Sequence, residues 1–173
     1  MKITDLEVLR MDAPTEGDNN WLFVRIHTDE GISGIGEGSL QYKDKVLTAE
    51  LENFGTYLRG KDPFQIEHIW TSLHRCVTWT GGAVTISAIS AIDLALWDIK
   101  GKALGVPVYE LVGGKVRDRV PLYANGWFGT GLRSAHGPQA GEIADEFEHF
   151  ALNAAAVVDM GYRCLKLYPF GGG

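Results

Sequence analysis

The chain has 173 residues, of which 45% are hydrophobic and 22% are charged, and its formal net charge is −6. This composition is that of a globular protein, and the acidic balance without a Lys/Arg cluster argues against nucleic-acid binding. The N-terminus lacks the apolar region of a signal peptide, and no apolar run approaches the ~18 residues of a membrane span. We therefore expect a cytoplasmic protein with no membrane partner. The two cysteines, Cys76 and Cys164, are expected to be reduced thiols.

The first part of the chain predicts a small antiparallel sheet. Residues 2–11 form the first predicted strand, and residues 12–20 form a polar loop. The segment from Trp21 to Thr28 alternates between apolar and other side chains, as a half-buried strand does. A turn signal at residues 29–31 and a return strand at residues 32–37 complete a hairpin.

Four helices are predicted next. Residues 44–59 carry apolar side chains at helical spacing. Asp62 and Pro63 have the residue types of an N-cap and a first helical position, so they predict the start of the second helix. Residues 83–103 are apolar around most of the helical circumference, which predicts a helix buried between layers. Residues 107–114 predict one short helix closed by glycines.

A charged linker at residues 115–119 marks a change in the pattern of the chain. The segment from Val120 to Trp127 predicts a strand, and an amphipathic helix that ends at Gly161 follows a glycine-rich loop. The segment from Arg163 to Tyr168 predicts a second strand. A strand, a helix and a strand at this spacing form a βαβ unit, which has parallel strands and a right-handed crossover.

Residues 88–113 carry a pattern that points to one family. The matching positions are Ala88, Ser90, Ala91, Ile92, Asp93, Ala95, Leu96, Asp98, Ile99, Gly101, Lys102, Pro107, Val108, Leu111, Val112 and Gly113. This stretch resembles the signature of the mandelate racemase/muconate lactonizing enzyme branch of the enolase superfamily. Residues 28–38 resemble the family's first hairpin, and residues 120–124 resemble its first barrel strand. The resemblance is closest to sugar-acid dehydratases of the galactonate type.

The resemblance implies a fold and a domain organisation. The expected fold class is an α+β capping domain, with a three-stranded antiparallel sheet plus helices, followed by the first βαβ of an incomplete TIM-type barrel. Residues 1–116 would be the enolase-like N-terminal capping domain, and residues 117–173 the truncated start of the barrel domain. The family's metal ligands lie on later barrel strands at the C-terminal face. The Mg²⁺ ligands are therefore expected beyond Gly173, and this chain alone is expected to bind no metal or cofactor.

The resemblance also implies an activity. The intact protein would be a Mg²⁺-dependent hydro-lyase that removes a proton next to a carboxylate of an acid sugar and then loses water from the enediolate. The 173-residue chain alone is expected to be inactive, and the family implies a homo-oligomer. Two alternatives stay open: a racemase or cycloisomerase of the same superfamily, and a non-catalytic truncated cap that binds a ligand or partner.

Lys166 and Tyr168 are the predicted catalytic residues. Positions i and i+2 of a strand share a face, so both side chains would lie on the same side of the second predicted strand. In the resembled family this strand end carries a Lys-x-Lys motif, in which one lysine is the base. Lys166 matches the first position. Tyr168 replaces the second, and a tyrosine with its ordinary pKa near 10 is a poor base, which favours a dehydratase over a racemase.

Three further residues are predicted to bind substrate. Asn125 and Trp127 end the first predicted barrel strand and would face the same barrel mouth. Tyr42 lies in a segment that resembles a cap loop closing over substrate. Asp93 and Asp98 belong to the signature helix and are expected to make structural contacts. Residues 34–38 are rich in glycine but lack the context of a phosphate-binding loop.

Overall fold

The computed structural model describes residues 1–11, 21–40, 42–75, 81–125, 127 and 146–167. The chain divides into two compact units, Met1–Lys115 and Val116–Gly173, which are described separately below. The predicted loop at residues 12–20 and the predicted catalytic Tyr168 lie outside the described residues. Within the described part of the chain, no helix has the length and apolar character needed to cross a membrane.

The first unit begins with the predicted three-stranded antiparallel sheet. Its strands are β1 (Ile3–Met11), β2 (Trp21–Thr28) and β3 (Ser33–Glu37), and they are ordered β1-β2-β3. The alternation of β2 sets the core face, because Leu22, Val24 and Ile26 are all buried. The hairpin turn contains Gly31, whose φ of 77° lies in the left-handed region that glycine adopts without strain.

Four helices follow the sheet. They are α1 (Asp44–Leu58), α2 (Ile66–Arg75), α3 (Ala83–Leu104) and α4 (Val108–Leu111). Of these, α1 and α3 pack directly against the sheet. As the sequence predicts, α3 lies between layers, because it packs against β3, α1 and α2. It ends at Gly105, which adopts the left-handed C-cap conformation with a φ of 69°. The α+β architecture expected for this unit is therefore confirmed.

The start of α2 differs from the sequence prediction. Asp62 does not cap α2, because the helix begins four residues later at Ile66, and the Oδ1 atom of Asp62 instead accepts a hydrogen bond from the N–H of Phe64 at 3.0 Å. The carbonyl oxygen of Asp62 also accepts the N–H of Gln65 at 3.1 Å. These two bonds form a turn over Pro63 and Phe64, because an aspartate side chain readily bonds to the backbone two residues ahead. The helix consequently begins at Ile66 rather than at Pro63.

Strand β3 lies directly against α3 because two of its residues have no side chain. A Cβ atom built on Gly34 would overlap the carbonyl oxygen of Ala95, and one built on Gly36 would overlap that of Ala91. Ala91 and Ala95 are themselves fully buried. The glycine spacing at residues 34–38 therefore serves the close approach of a strand to a helix.

The second unit contains α5 (Glu146–Asp159) and one short parallel pairing. Ala124 and Leu165 form an isolated parallel bridge, so the predicted parallel relation of the two segments is observed. Among the described residues the pairing stops at this single bridge and does not extend into the two strands that the sequence predicts. Parallel strands are usually held between neighbours in a buried sheet, which explains why two segments alone pair so briefly.

Candidate functional site

The predicted catalytic residue Lys166 lies one position after the parallel bridge. Its N–H donates a hydrogen bond to the carbonyl oxygen of Ala124 at 2.9 Å. Its own carbonyl oxygen accepts a hydrogen bond from Nε1 of Trp127 at 2.8 Å. The backbone of Lys166 is therefore held by two residues of the first predicted barrel segment, and this fixes the point from which its half-buried side chain extends.

The side chain of Lys166 lies against an aromatic residue that the sequence analysis did not single out. The Nζ atom is 5.9 Å from the centre of the Tyr123 ring, a geometry in which a cation is attracted to the ring face. Side chains two positions apart in a strand share a face, and Tyr123 is two positions before Asn125. The same alternation that predicts a site role for Asn125 could therefore have predicted one for Tyr123. The Tyr123 ring is 55% exposed, so solvent reaches this pair.

Asn125 and Lys166 each directly follow a residue of the parallel bridge. Because Ala124 is opposite Leu165, the next positions along the two segments are Asn125 and Lys166. Asn125 is exposed. Its amide and the amine of Lys166 can each donate a hydrogen bond to a carboxylate or a hydroxyl oxygen.

Trp127 is placed differently from Asn125. Its side chain is only 6% exposed, and its ring meets the ring of Phe150 in α5 edge to face, with centroids 6.3 Å apart. The chain turns at Trp127 and has left the extended conformation, so the alternation of the strand no longer decides which way this ring points. The indole is thus a packing group of the second unit, and its contact with substrate stays a prediction.

Tyr42 belongs to the first unit. It is 67% exposed and has a φ of 58°, which is unusual for a residue with a side chain. The segment before it is tied to the sheet, since Oγ of Ser39 accepts the N–H of Leu22 at 3.1 Å. Tyr42 therefore projects from an anchored turn, as a residue of a substrate loop would.

The two aspartates of the signature helix have different environments. Asp98 accepts hydrogen bonds from the N–H of Ile35 and from Nζ of Lys102, so it makes the structural contacts that we expected. Asp93 is half-buried. Burial, and secondarily the negative charge of Glu67, raise the pKa of the Asp93 carboxyl above its usual range.

The described residues do not fit a magnesium ion. No group of three His, Cys, Asp or Glu side chains in this part of the chain is arranged to hold a metal. The described groups that we assign to this site are the Lys166 amine, the Tyr123 phenol and the Asn125 amide, whereas Mg²⁺ is bound through carboxylates and water. No reaction step through a metal can be assigned to these residues.

Comparison with known proteins gives consistent matches. Residues 3–113 match the model of the mandelate racemase / muconate lactonizing enzyme N-terminal domain. A D-galactonate dehydratase of Variovorax paradoxus is 50% identical over 129 residues, which are 75% of this chain and 32% of that protein. The chain spans between 32% and 38% of the length of such curated relatives.

Solved structures agree with these relatives. The crystal structure of a candidate dehydratase from Mesorhizobium loti is 40% identical with a TM-score of 0.83, covering 98% of this chain and 42% of that one. An enolase from Pantoea ananatis, solved with bound D-gluconate and Mg²⁺, is 34% identical with a TM-score of 0.76. That match covers 95% of this chain and 35% of the other.

Proposed function

This chain belongs to the mandelate racemase/muconate lactonizing enzyme family through its N-terminal domain, and on that premise we propose that it is the N-terminal part of a sugar-acid dehydratase. The observation that carries the proposal is its 50% identity over 129 residues to a D-galactonate dehydratase. The reaction would be loss of water from an aldonic acid such as D-galactonate, after a proton is removed next to the carboxylate.

We assign residues 1–116 to the capping domain and residues 117–173 to the start of a barrel domain. Within the second of these, Lys166 and Tyr168 are the proposed catalytic residues. An ammonium group over the Tyr123 ring can bind a substrate carboxylate, and the exposed amide of Asn125 can bind a hydroxyl oxygen. Trp127, which holds the Lys166 backbone, and Tyr42 are the remaining proposed substrate-binding residues.

The remaining properties follow from the same proposal. The intact enzyme would use Mg²⁺, in keeping with the Pantoea ananatis enolase solved with D-gluconate and that ion. The 173-residue chain alone would not catalyse the reaction. The intact enzyme would be a cytoplasmic homo-oligomer.

A chimera tests the proposal. Residues 1–173 are joined to the remainder of the Variovorax paradoxus D-galactonate dehydratase, and conversion of D-galactonate is measured with Mg²⁺. We expect turnover by the chimera and none by the 173-residue chain. Lys166→Met should lower kcat by about 100-fold or more, which is the scale of a lost acid–base group.

The matched control is Lys115→Met. The ammonium group of Lys115 also lies over a tyrosine ring, 5.8 Å from the centre of Tyr109, but it is far along the chain from the predicted site. This variant should keep the parent activity. A folded chimera that dehydrates no sugar acid, or a Lys166→Met variant as active as its parent, would contradict the assignment.

A further inference from the structure

The outer edge of β3 carries backbone groups that point away from the sheet. Gly38 donates its N–H to the carbonyl oxygen of Leu22 in β2. Because every second residue of a strand turns its backbone groups to the same neighbour, Gly36 and Gly34 also direct their N–H and C=O groups towards β2. The residues between them, Ser33, Ile35 and Glu37, therefore turn their N–H and C=O groups to the outside. Within the described part of the chain no strand pairs with this edge, and an open strand edge is a template for pairing with another strand.

Two side chains of α3 occupy this edge. The carboxylate of Asp98 accepts the N–H of Ile35 at 2.9 Å. The ammonium group of Lys102 donates to the carbonyl oxygen of Ser33 at 2.8 Å. The two side chains also form an ion pair with each other at 2.7 Å, one helical turn apart. The Asp98 carboxylate and the Lys102 ammonium group therefore take the places that the C=O and N–H groups of a neighbouring strand would occupy.

Without the Asp98 and Lys102 side chains, the surface beside this edge would favour pairing with a further strand. Ile35 is 44% exposed on the flank of β3. An open groove of about 660 Å³ adjoins it, lined mainly by apolar side chains that include Phe23, Leu94 and Trp97. Apolar surface next to unpaired backbone groups is the combination that drives association of strand edges.

We propose that Asp98 and Lys102 occupy the outward backbone groups of β3 and thereby keep it from pairing with the β3 strand of a second copy of this chain. We call this pair of side chains the lock. An antiparallel pairing centred on Ile35 would be symmetric, because the same residue of each copy would exchange both backbone hydrogen bonds with the other. The N–H of Ile35 cannot serve that pairing while it donates to Asp98. The two signature residues thus protect a free edge.

Amide hydrogen exchange tests the lock directly on the 173-residue chain at low concentration. Asp98→Ala should accelerate exchange at the Ile35 amide by roughly tenfold, the scale of a lost hydrogen bond to a charged acceptor. Lys102→Met should accelerate it less, since it removes the ion pair but leaves the acceptor. Lys100→Met removes the same charge from the same helix, where the ammonium group lies over Trp97, and should leave exchange at Ile35 unchanged.

Self-association is the second measurement. Sedimentation should show that Asp98→Ala forms dimers at concentrations where the parent and Lys100→Met do not. Adding Ile35→Pro removes the N–H that the lock covers and blocks strand pairing, so the double variant should return to the parent's oligomeric state. Unchanged exchange at Ile35 in Asp98→Ala, or a double variant that dimerises like Asp98→Ala, would overturn the proposal. Since neither measurement uses catalysis, the result is independent of the proposed dehydratase activity.

Discussion

At the scale of single residues, the environment of the Asp93 carboxyl group disfavours its charged form. Burial and the neighbouring charge of Glu67 raise the pKa of Asp93 in the folded chain above its value in the unfolded chain. Folding is therefore penalised once the pH rises through the unfolded pKa, and the full penalty is present above the folded pKa. Below the unfolded pKa both states are protonated and the penalty is absent.

The first prediction follows from this sign. Asp93→Asn should raise the free energy of unfolding at pH 7 by less than about 1 kcal/mol, because the group is partly exposed and screened by solvent. The gain should disappear towards pH 3, where the parent carboxyl is neutral as well. Urea unfolding across this pH range measures it, with Glu52→Gln on the exposed face of α1 as the control. A gain of the same size at pH 3 and pH 7 would contradict this account.

At the scale of elements, the contact of β3 with α3 is the closest approach of a strand and a helix among the described residues. The carbonyl oxygens of Ala91 and Ala95 occupy the positions where side chains of Gly36 and Gly34 would lie. Backbone atoms of a buried helix cannot swing aside as a flexible side chain can, so any Cβ there must separate the two elements.

Gly36→Ala should accordingly lower the free energy of unfolding by about 1–3 kcal/mol, the usual cost of overpacking. Ile35→Ala is the matched control on the same strand, because this half-exposed side chain points away from α3, and it should lose less than about 1 kcal/mol. Equal losses in the two variants, measured by urea unfolding, would show that close packing does not explain the glycine.

At the scale of the whole molecule, the hydrophobic core belongs to the first unit. The cluster of buried side chains runs from Ile3 to Ile99, and it joins the sheet, α1, α2 and α3. In the described part of the second unit, the buried hydrophobic residues are Trp127 and Val157, while Leu122 and Leu152 are each 68% exposed. The two units therefore differ in their capacity to fold alone.

This difference predicts the behaviour of two fragments. Residues 1–115 should unfold cooperatively in urea with the helical signal of α1 to α4, because they keep the entire core cluster. Residues 116–173 should show no cooperative transition, since the bridge and the helix in their described part bury too little apolar surface to offset chain entropy. Cooperative unfolding of the second fragment, or none in the first, would refute the assignment of the core to one unit.

The sequence by itself determined the family and, in the first unit, the kinds and order of the elements. Alternation in β2 and the all-round apolar character of α3 are local patterns, and they report which faces must be buried without any knowledge of partners. Local patterns were less informative where a turn competes with a helix or a strand over a few residues. The Asp62 side chain forms a hydrogen bond within a turn, so helical periodicity does not apply there. The chain leaves the extended conformation at Trp127, so strand periodicity does not apply to that residue.

Only the tertiary structure decided what the long-range partners are. Asp98 meets Ile35 across 63 residues of sequence, and Trp127 meets Lys166 across 39. No periodicity relates such positions, because these contacts arise when separate elements pack and bring their backbones together. The signature helix could thus be recognised from its residues, whereas its role of receiving and closing the edge of β3 became visible only in the folded chain.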